Sequence, residues 1–327
     1  MLGFQLSPHQ IFVFSAALMI KTALMFAGQG AQFVGMGKDL AERFPVARGW
    51  FDKANAALGY DLAGICFSGP EAELTKTEHA QPAIYLVSWI AYELLREQVQ
   101  GLDVAATAGL SLGEFTALAA SDVMSFENGL RVVRQRGRFM QEACDATQGG
   151  MAAIIGLDEV ATREACVEAG VVLANLNCPG QLVISGEAEK IARACEIAKA
   201  KGARRALPLV VAGAYHSPLM ASAQPKLQAE LERIEMRSPS IEALSNVTAE
   251  PHGDVASIRA RLVEQVTASV RWEASMRYLL AKGFTRFIEL GPGTALAGFM
   301  KRIDKTAQVL NVGDVAGLEN TVKALQA

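Results

Sequence analysis

A chain of 327 residues has room for one large domain with a smaller one inserted, and 51% hydrophobic against 20% charged residues exclude a disordered polymer. With 31 Lys and Arg against 34 Asp and Glu the formal charge is −3, which leaves no electrostatic footprint for nucleic acid. Cys66, Cys144, Cys166, Cys178 and Cys195 include no C-x-x-C pair, so neither a disulfide framework nor a zinc site is implied, and a reducing, cytoplasmic setting is expected.

Residues 1–20 contain no Lys, Arg, Asp or Glu, and residues 11–20 (IFVFSAALMI) form an apolar run broken only by Ser15. That run is shorter than the ~20 residues a membrane span needs. It has no basic segment ahead of it, as a secretory signal would, and Pro8 would break a longer helix. Residues 1–18 are therefore expected to be a dispensable or non-native extension ahead of a start at Met19, with no membrane association.

From residue 20 onward, short apolar runs alternate with helical segments, the pattern of an α/β fold. Residues 22–27 predict a strand that enters the turn Gly28-Gln29-Gly30. Helices are predicted over 38–58 and 81–97, with Pro82 in the first turn of the second. Residues 104–110 form a buried strand that runs into Ser111, followed by a helix through Ala119 and an amphipathic helix over 126–143. Residues 151–157, 171–177, 181–186 and 203–211 read as strands and 158–170 and 187–202 as helices. Their order, β-α-β-β-α-β, is that of a ferredoxin-like module. Ser217-Pro218 then opens a helix reaching Met236. A strand over 241–246, helices over 256–267 and 272–282, and a strand over 285–290 ending in Gly291-Pro292-Gly293 complete the pattern. The expected architecture is an α/β-hydrolase-like large domain with a parallel sheet, built from 19–148 and 213–327, with a ferredoxin-like subdomain over 149–212.

Gly109-Leu110-Ser111-Leu112-Gly113 fits G-x-S-x-G between a strand and a helix. Small residues there permit a sharp turn that exposes the Ser hydroxyl beside unpaired helix N–H groups; a Ser that merely caps a tight turn is the alternative. A nucleophilic Ser needs a base. Of the four histidines, His9 falls in the N-terminal extension, His79 in a charged loop and His252 in a solvated turn. His216 remains, at the end of an apolar stretch, where the positive end of the following helix is expected to favour neutral imidazole. Arg136 lies within the apolar stripe Val132, Val133, Phe139, Met140 and Ala143. An inward arginine needs a carboxylate, supplied either by the protein or by a ligand held in a bidentate fork. The Gly28-Gln29-Gly30 loop is too short for a nucleotide-phosphate motif but can offer a backbone N–H to an oxyanion.

Taken together, FAGQGAQFVGMG (26–37), QPAI (81–84), GLSLGE (109–114), RQRGRFMQEA (134–143), NLNCPGQLVISG (175–186), AYHSPLM (214–220) and ELGPG (289–293) resemble the malonyl-CoA:acyl-carrier-protein transacylases of bacterial type II fatty-acid synthesis. The resemblance implies that Ser111 carries the malonyl group as an ester and that His216 is its base, held by the backbone carbonyl of Gln265. It implies that Arg136 binds the malonyl carboxylate and that the N–H groups of Gln29 and Leu112 form the oxyanion hole. Gln81, Leu110, Asn177 and Tyr215 would line the pocket, Leu110 standing where the family usually has His. Malonyl-CoA and acyl carrier protein are the implied partners, with no metal or other cofactor and a monomeric enzyme. A trans-acting acyltransferase for a polyketide synthase is the nearest alternative. A serine esterase is more distant, since it would want an acidic residue between Ser and His in chain order.

Overall fold

A computed structural model describes residues 20–326; the expectation for residues 1–18 and Met19 lies outside them. In chain order the strands are β1 (Lys21–Phe26), β2 (Val104–Gly109), β3 (Gly149–Ile155), β4 (Val172–Cys178), β5 (Gln181–Glu187), β6 (Arg205–Pro208), β7 (Glu242–Ala243), β8 (Phe284–Leu290) and β9 (Gln308–Val312). One sheet has the order β7-β2-β1-β8-β9, with every pairing parallel. The other, β4-β5-β3-β6, is antiparallel throughout.

The central position of β1 follows from its side chains. After Lys21 every residue is buried, as expected of a parallel strand covered on both faces. Alternation sends Leu24 and Phe26 into one apolar cluster, and Ala23 and Met25 into another that contains Trp272 and Phe287. The antiparallel sheet has a core of its own, in which Ile154, Leu173 and Ile184 pack with Cys166, Ile191 and Cys195 of the helices Glu159–Ala169 and Ala188–Ala200. Backbone bonds from Leu176 N–H to Val270 O (2.9 Å) and from Val270 N–H to Ala174 O (2.8 Å) join β4 to the segment that follows the helix Val255–Glu264.

Two long helices, Thr77–Gln98 and Phe126–Asp145, lie against each other at the edge of the cleft. Their approach depends on glycine: a Cβ at Gly129 would sit 2.1 Å from Tyr85 Oη, and one at Gly137 2.5 Å from the Thr77 carbonyl oxygen. Ser125 caps the second helix through its bond to the Asn128 N–H.

Several expected elements are shorter or broken, each with a local cause. The helix over 38–58 divides into Lys38–Arg43 and Pro45–Leu58, because Phe44 precedes a proline and is extended. The helix after Ser217 is a 3-10 turn, Pro218–Ala223, followed by Gln224–Glu232, with Pro225 restarting the helix. Pro82 lies inside its helix, which begins already at Thr77. The strand over 203–211 stops at Pro208, leaving Val210 fully exposed, and that over 241–246 keeps only β7 before turning towards the cleft. Among the described residues no helix is long and apolar enough to cross a membrane.

The turn after β2 tolerates no added atom: a Cβ on Gly109 would lie 1.9 Å from the backbone of Gly113, and one on Gly113 2.2 Å from Phe26 O. Gly109→Ala should therefore lower stability by about 3 kcal/mol. Gly49→Ala, on an exposed helix surface with nothing within 4 Å of the new atom, should raise it by roughly 1 kcal/mol. Urea unfolding midpoints of the two variants check both signs.

Candidate active site

The carboxyl ends of β1, β2 and β8 meet the antiparallel sheet across a cleft of about 290 Å³. Ser111 stands at its floor, between β2 and the helix Gly113–Ala120. Its φ of 52° and the 56° of His216 are left-handed values for non-glycine residues, the kind of backbone strain that concentrates at functional sites. Ser111 Oγ lies 2.8 Å from His216 Nε2, the contact that a nucleophile and its base require. The N–H groups of Gln29 and Leu112 take part in none of the hydrogen bonds among the described residues, and so are free to face an oxyanion.

The second ring nitrogen of His216, Nδ1, lies 2.9 Å from the Gln265 carbonyl oxygen. A carbonyl only accepts, so Nδ1 carries the proton and Nε2 presents a lone pair to Ser111. Burial, followed by the nearby Arg136 cation, holds His216 well below its ordinary 6.5, at about 4. The expected helix end is not the cause, because only a short 3-10 turn follows. Among the described residues no carboxylate contacts the ring; the carbonyl orients it instead.

Arg136 is 1% exposed. Its Nη1 donates to Gln81 Oε1 (2.8 Å), and its Nη2 to Gln265 Oε1 (2.9 Å) and Ser111 Oγ (3.2 Å). Burial lowers its pKa to about 10, so it remains a cation at neutral pH. No Asp or Glu oxygen among the described residues forms an ion pair with it, and its Nε has no partner. Of the five guanidinium hydrogens, none is met by a carboxylate among the described residues, and that on Nε is met by no acceptor among them.

A polar wall continues from Arg136. Gln81 Nε2 faces Gln29 Oε1 at 3.4 Å, Gln29 Nε2 donates to Tyr215 Oη at 3.2 Å, and Tyr215 Oη lies 2.6 Å from Thr77 Oγ1. Leu110, Asn177 and Tyr215 line the cleft with Met140, Leu209 and Phe299. Asn177 brings a buried Oδ1 that has no partner among the described residues.

Three residues were given no role in the sequence reading: Asn246, Glu114 and Glu289. Asn246 fixes the nucleophile turn from beneath, its Oδ1 accepting from Ser111 N–H (2.6 Å) and its Nδ2 donating to Gly109 O (2.7 Å). Glu114 is wholly buried under the same turn. A signal existed for it, since it opens a helix whose other positions are all apolar or small. Glu289 accepts the Leu296 and Ala297 N–H groups at the start of the helix Ala295–Ile303, which walls the cleft, and burial pushes it up to about 7. His252 is not solvated as expected: its side chain is 0% exposed and its Nε2 lies 2.7 Å from Glu114 Oε1. His79 lies on the helix Thr77–Gln98 rather than in a loop, its ring against Tyr60.

The acyl transferase domain family matches residues 24–324. The chain is 42% identical over 313 residues to the malonyl CoA-acyl carrier protein transacylase of Bacillus subtilis (strain 168), over 94% of this chain and 98% of the relative. The solved malonyl CoA-acyl carrier protein transacylase of Coxiella burnetii superposes with a TM-score of 0.91 at 34% identity, covering 94% of this chain and 99% of that one. A structure of a type II PKS acyl-carrier protein in complex with its malonyl-transacylase superposes with a TM-score of 0.90 at 39% identity, over 93% of this chain and 99% of that one.

The depressed His216 fixes an acid limb. Between 6.5 and about 4 the unfolded chain binds the proton that the folded imidazole refuses, so this group's share of stability is present above 6.5 and is lost as pH falls through 4. In the free enzyme kcat/KM should stay flat from pH 8 to about 5 and fall roughly tenfold per unit below about 4. A pH profile with brief acid exposure checks this; an inflection near 6.5 would contradict it.

Proposed function

Because the chain belongs to the malonyl CoA-acyl carrier protein transacylase family, we propose that it transfers a malonyl group from malonyl-CoA to the phosphopantetheine thiol of an acyl carrier protein through an ester on Ser111, supplying malonyl units for fatty-acid elongation. The observation that carries this reading is the buried Arg136, a cation that meets no carboxylate among the described residues, beside a Ser–His pair 2.8 Å apart.

The geometry supports each step. As Ser111 Oγ attacks the thioester carbonyl, His216 Nε2 takes its proton and the N–H groups of Gln29 and Leu112 receive the developing oxyanion. The tetrahedral adduct collapses, the C–S bond breaks, and His216 returns the proton to the departing CoA sulfur. The malonyl carboxylate stays on Arg136 while the carrier thiol enters, loses its proton to His216 and attacks the ester; the second adduct collapses, the bond from Ser111 Oγ to the acyl carbon breaks, and His216 returns the proton to Oγ. Acetyl groups would leave the guanidinium without its anion, which is the basis for discrimination. Gln81, Asn177, Tyr215 and Leu110 shape the pocket around the acyl group.

A monomer suffices for this cycle, since every residue named comes from one chain. A cytoplasmic setting agrees with five cysteines that are free and buried. A polyketide carrier protein as acceptor is the second reading, favoured by the similarity to a transacylase whose structure holds a type II PKS acyl-carrier protein; the chemistry is unchanged. A hydrolytic esterase fits less well, because Arg136 serves no purpose for a neutral acyl group.

Intact mass after mixing with malonyl-CoA tests the ester. One malonyl group should be gained, be absent in Ser111→Ala, and be discharged by acyl carrier protein. CoA released steadily without an adduct would indicate a hydrolase, and neither adduct nor release would overturn the proposal.

A further inference from the structure

Glu114 takes no part in either half reaction, yet its environment is built around it. Oε2 accepts the Asn246 N–H (3.0 Å) and Gln265 Nε2–H (2.6 Å), and Oε1 faces His252 Nε2 at 2.7 Å. Two N–H donors converge on Oε2 and the His252 imidazole meets Oε1, and the Glu114 charge reaches Arg136, whose affinity for its proton it raises. Its hold on Gln265 has a consequence for the acyl site. Gln265 Nε2 donates to Glu114 and, at 2.9 Å, to Ser111 O, so its Oε1 is the atom left to accept from Arg136 Nη2. A flipped amide would set N–H donors against a guanidinium that has only donors.

We propose that Glu114 is a positioning residue that sets the charge balance of the acyl-carboxylate site, compensating Arg136 from one side-chain amide away and thereby keeping the guanidinium open to the substrate. The inference rests on the transacylase reading. The physical case is a choice among three arrangements. A carboxylate in contact with Arg136 would occupy the fork that the malonyl group needs. No buried anion at all would leave the full cost of desolvating the cation. Gln265 as a spacer lets Glu114 act through space while the contact positions remain available. Arg136 is the only arginine or lysine joined to Glu114 by such a bridge among the described residues. Asn246 and His252 hold the carboxylate in place.

The test compares acylation of Ser111 by malonyl-CoA and acetyl-CoA in two variants, read by intact mass over time. Glu114→Gln removes the charge and keeps an acceptor for Gln265; with Arg136 less compensated, KM for malonyl-CoA should fall and the malonyl-to-acetyl ratio should rise about tenfold. Gln265→Met removes the spacer and keeps Glu114 and the backbone carbonyl used by His216. Arg136 and Glu114 can then pair directly, and the ratio should fall about tenfold with a higher KM for malonyl-CoA. A purely structural role would slow both donors alike. If the parent forms the malonyl ester and the ratio is unmoved in whichever variant folds, the inference is overturned alone. If the parent forms no ester, the transacylase reading falls and takes the inference with it.

Discussion

A guanidinium sealed from solvent with only neutral acceptors in contact is the condition on which the rest of this site depends. Arg136 cannot shed its charge by burial alone, and taking a cation out of water costs several kcal/mol unless it is paired. Elsewhere in the chain ordinary pairing is common and lies on the surface, as in Arg163 with Glu159 or Arg277 with Glu273. At Arg136 the acceptors are two amide oxygens and a serine hydroxyl. On the proposed function the site is preorganised for an anion that arrives with the substrate, and Ser111 Oγ sits within reach of the same group. Binding and chemistry share one atom, Ser111 Oγ.

That arrangement needs two packing constraints. Glycines at 129 and 137 bring the helix Phe126–Asp145 close to Thr77–Gln98, so that Arg136 meets Gln81. Glycines at 109 and 113 let the Ser111 turn cross β1 at backbone distance. Asn246 then clamps the turn by holding both Gly109 O and Ser111 N–H. The strain in Ser111 and His216 is maintained by hydrogen bonds on both sides, which is what keeps such conformations populated.

Much of this was legible in the sequence because it is local. A strand, a small-residue turn and a helix mark Ser111, and an arginine in an apolar stripe marks Arg136; both signals lie within a dozen residues. The parallel sheet was legible for the same reason, since β1 and β2 are short runs of mainly apolar residues and β8 carries Phe284, Phe287, Ile288 and Leu290 ahead of a glycine turn. Long-range partners were not. Gln265 serves through its backbone carbonyl, which any residue possesses, and it entered only through the family resemblance. Asn246 follows a two-residue strand and had no periodicity to reveal it. His252 sits among turn-forming residues, and nothing local signals that its ring is buried against Glu114, 138 positions away. Element ends failed where proline intervened, at Pro45, Pro208 and Pro225, because a helical or apolar pattern persists through a residue that ends or restarts the hydrogen-bonded ladder.

The most direct test of the account is the acyl preference of Arg136→Ala, measured as second-order rates of Ser111 acylation by malonyl-CoA and by acetyl-CoA. The account predicts a strong malonyl preference in the parent. In the variant, malonyl acylation should fall by about 10²–10³-fold while acetyl acylation changes far less, so that the preference collapses. A variant that still favours malonyl-CoA by the parent's margin would contradict the assignment of the buried guanidinium to the substrate carboxylate.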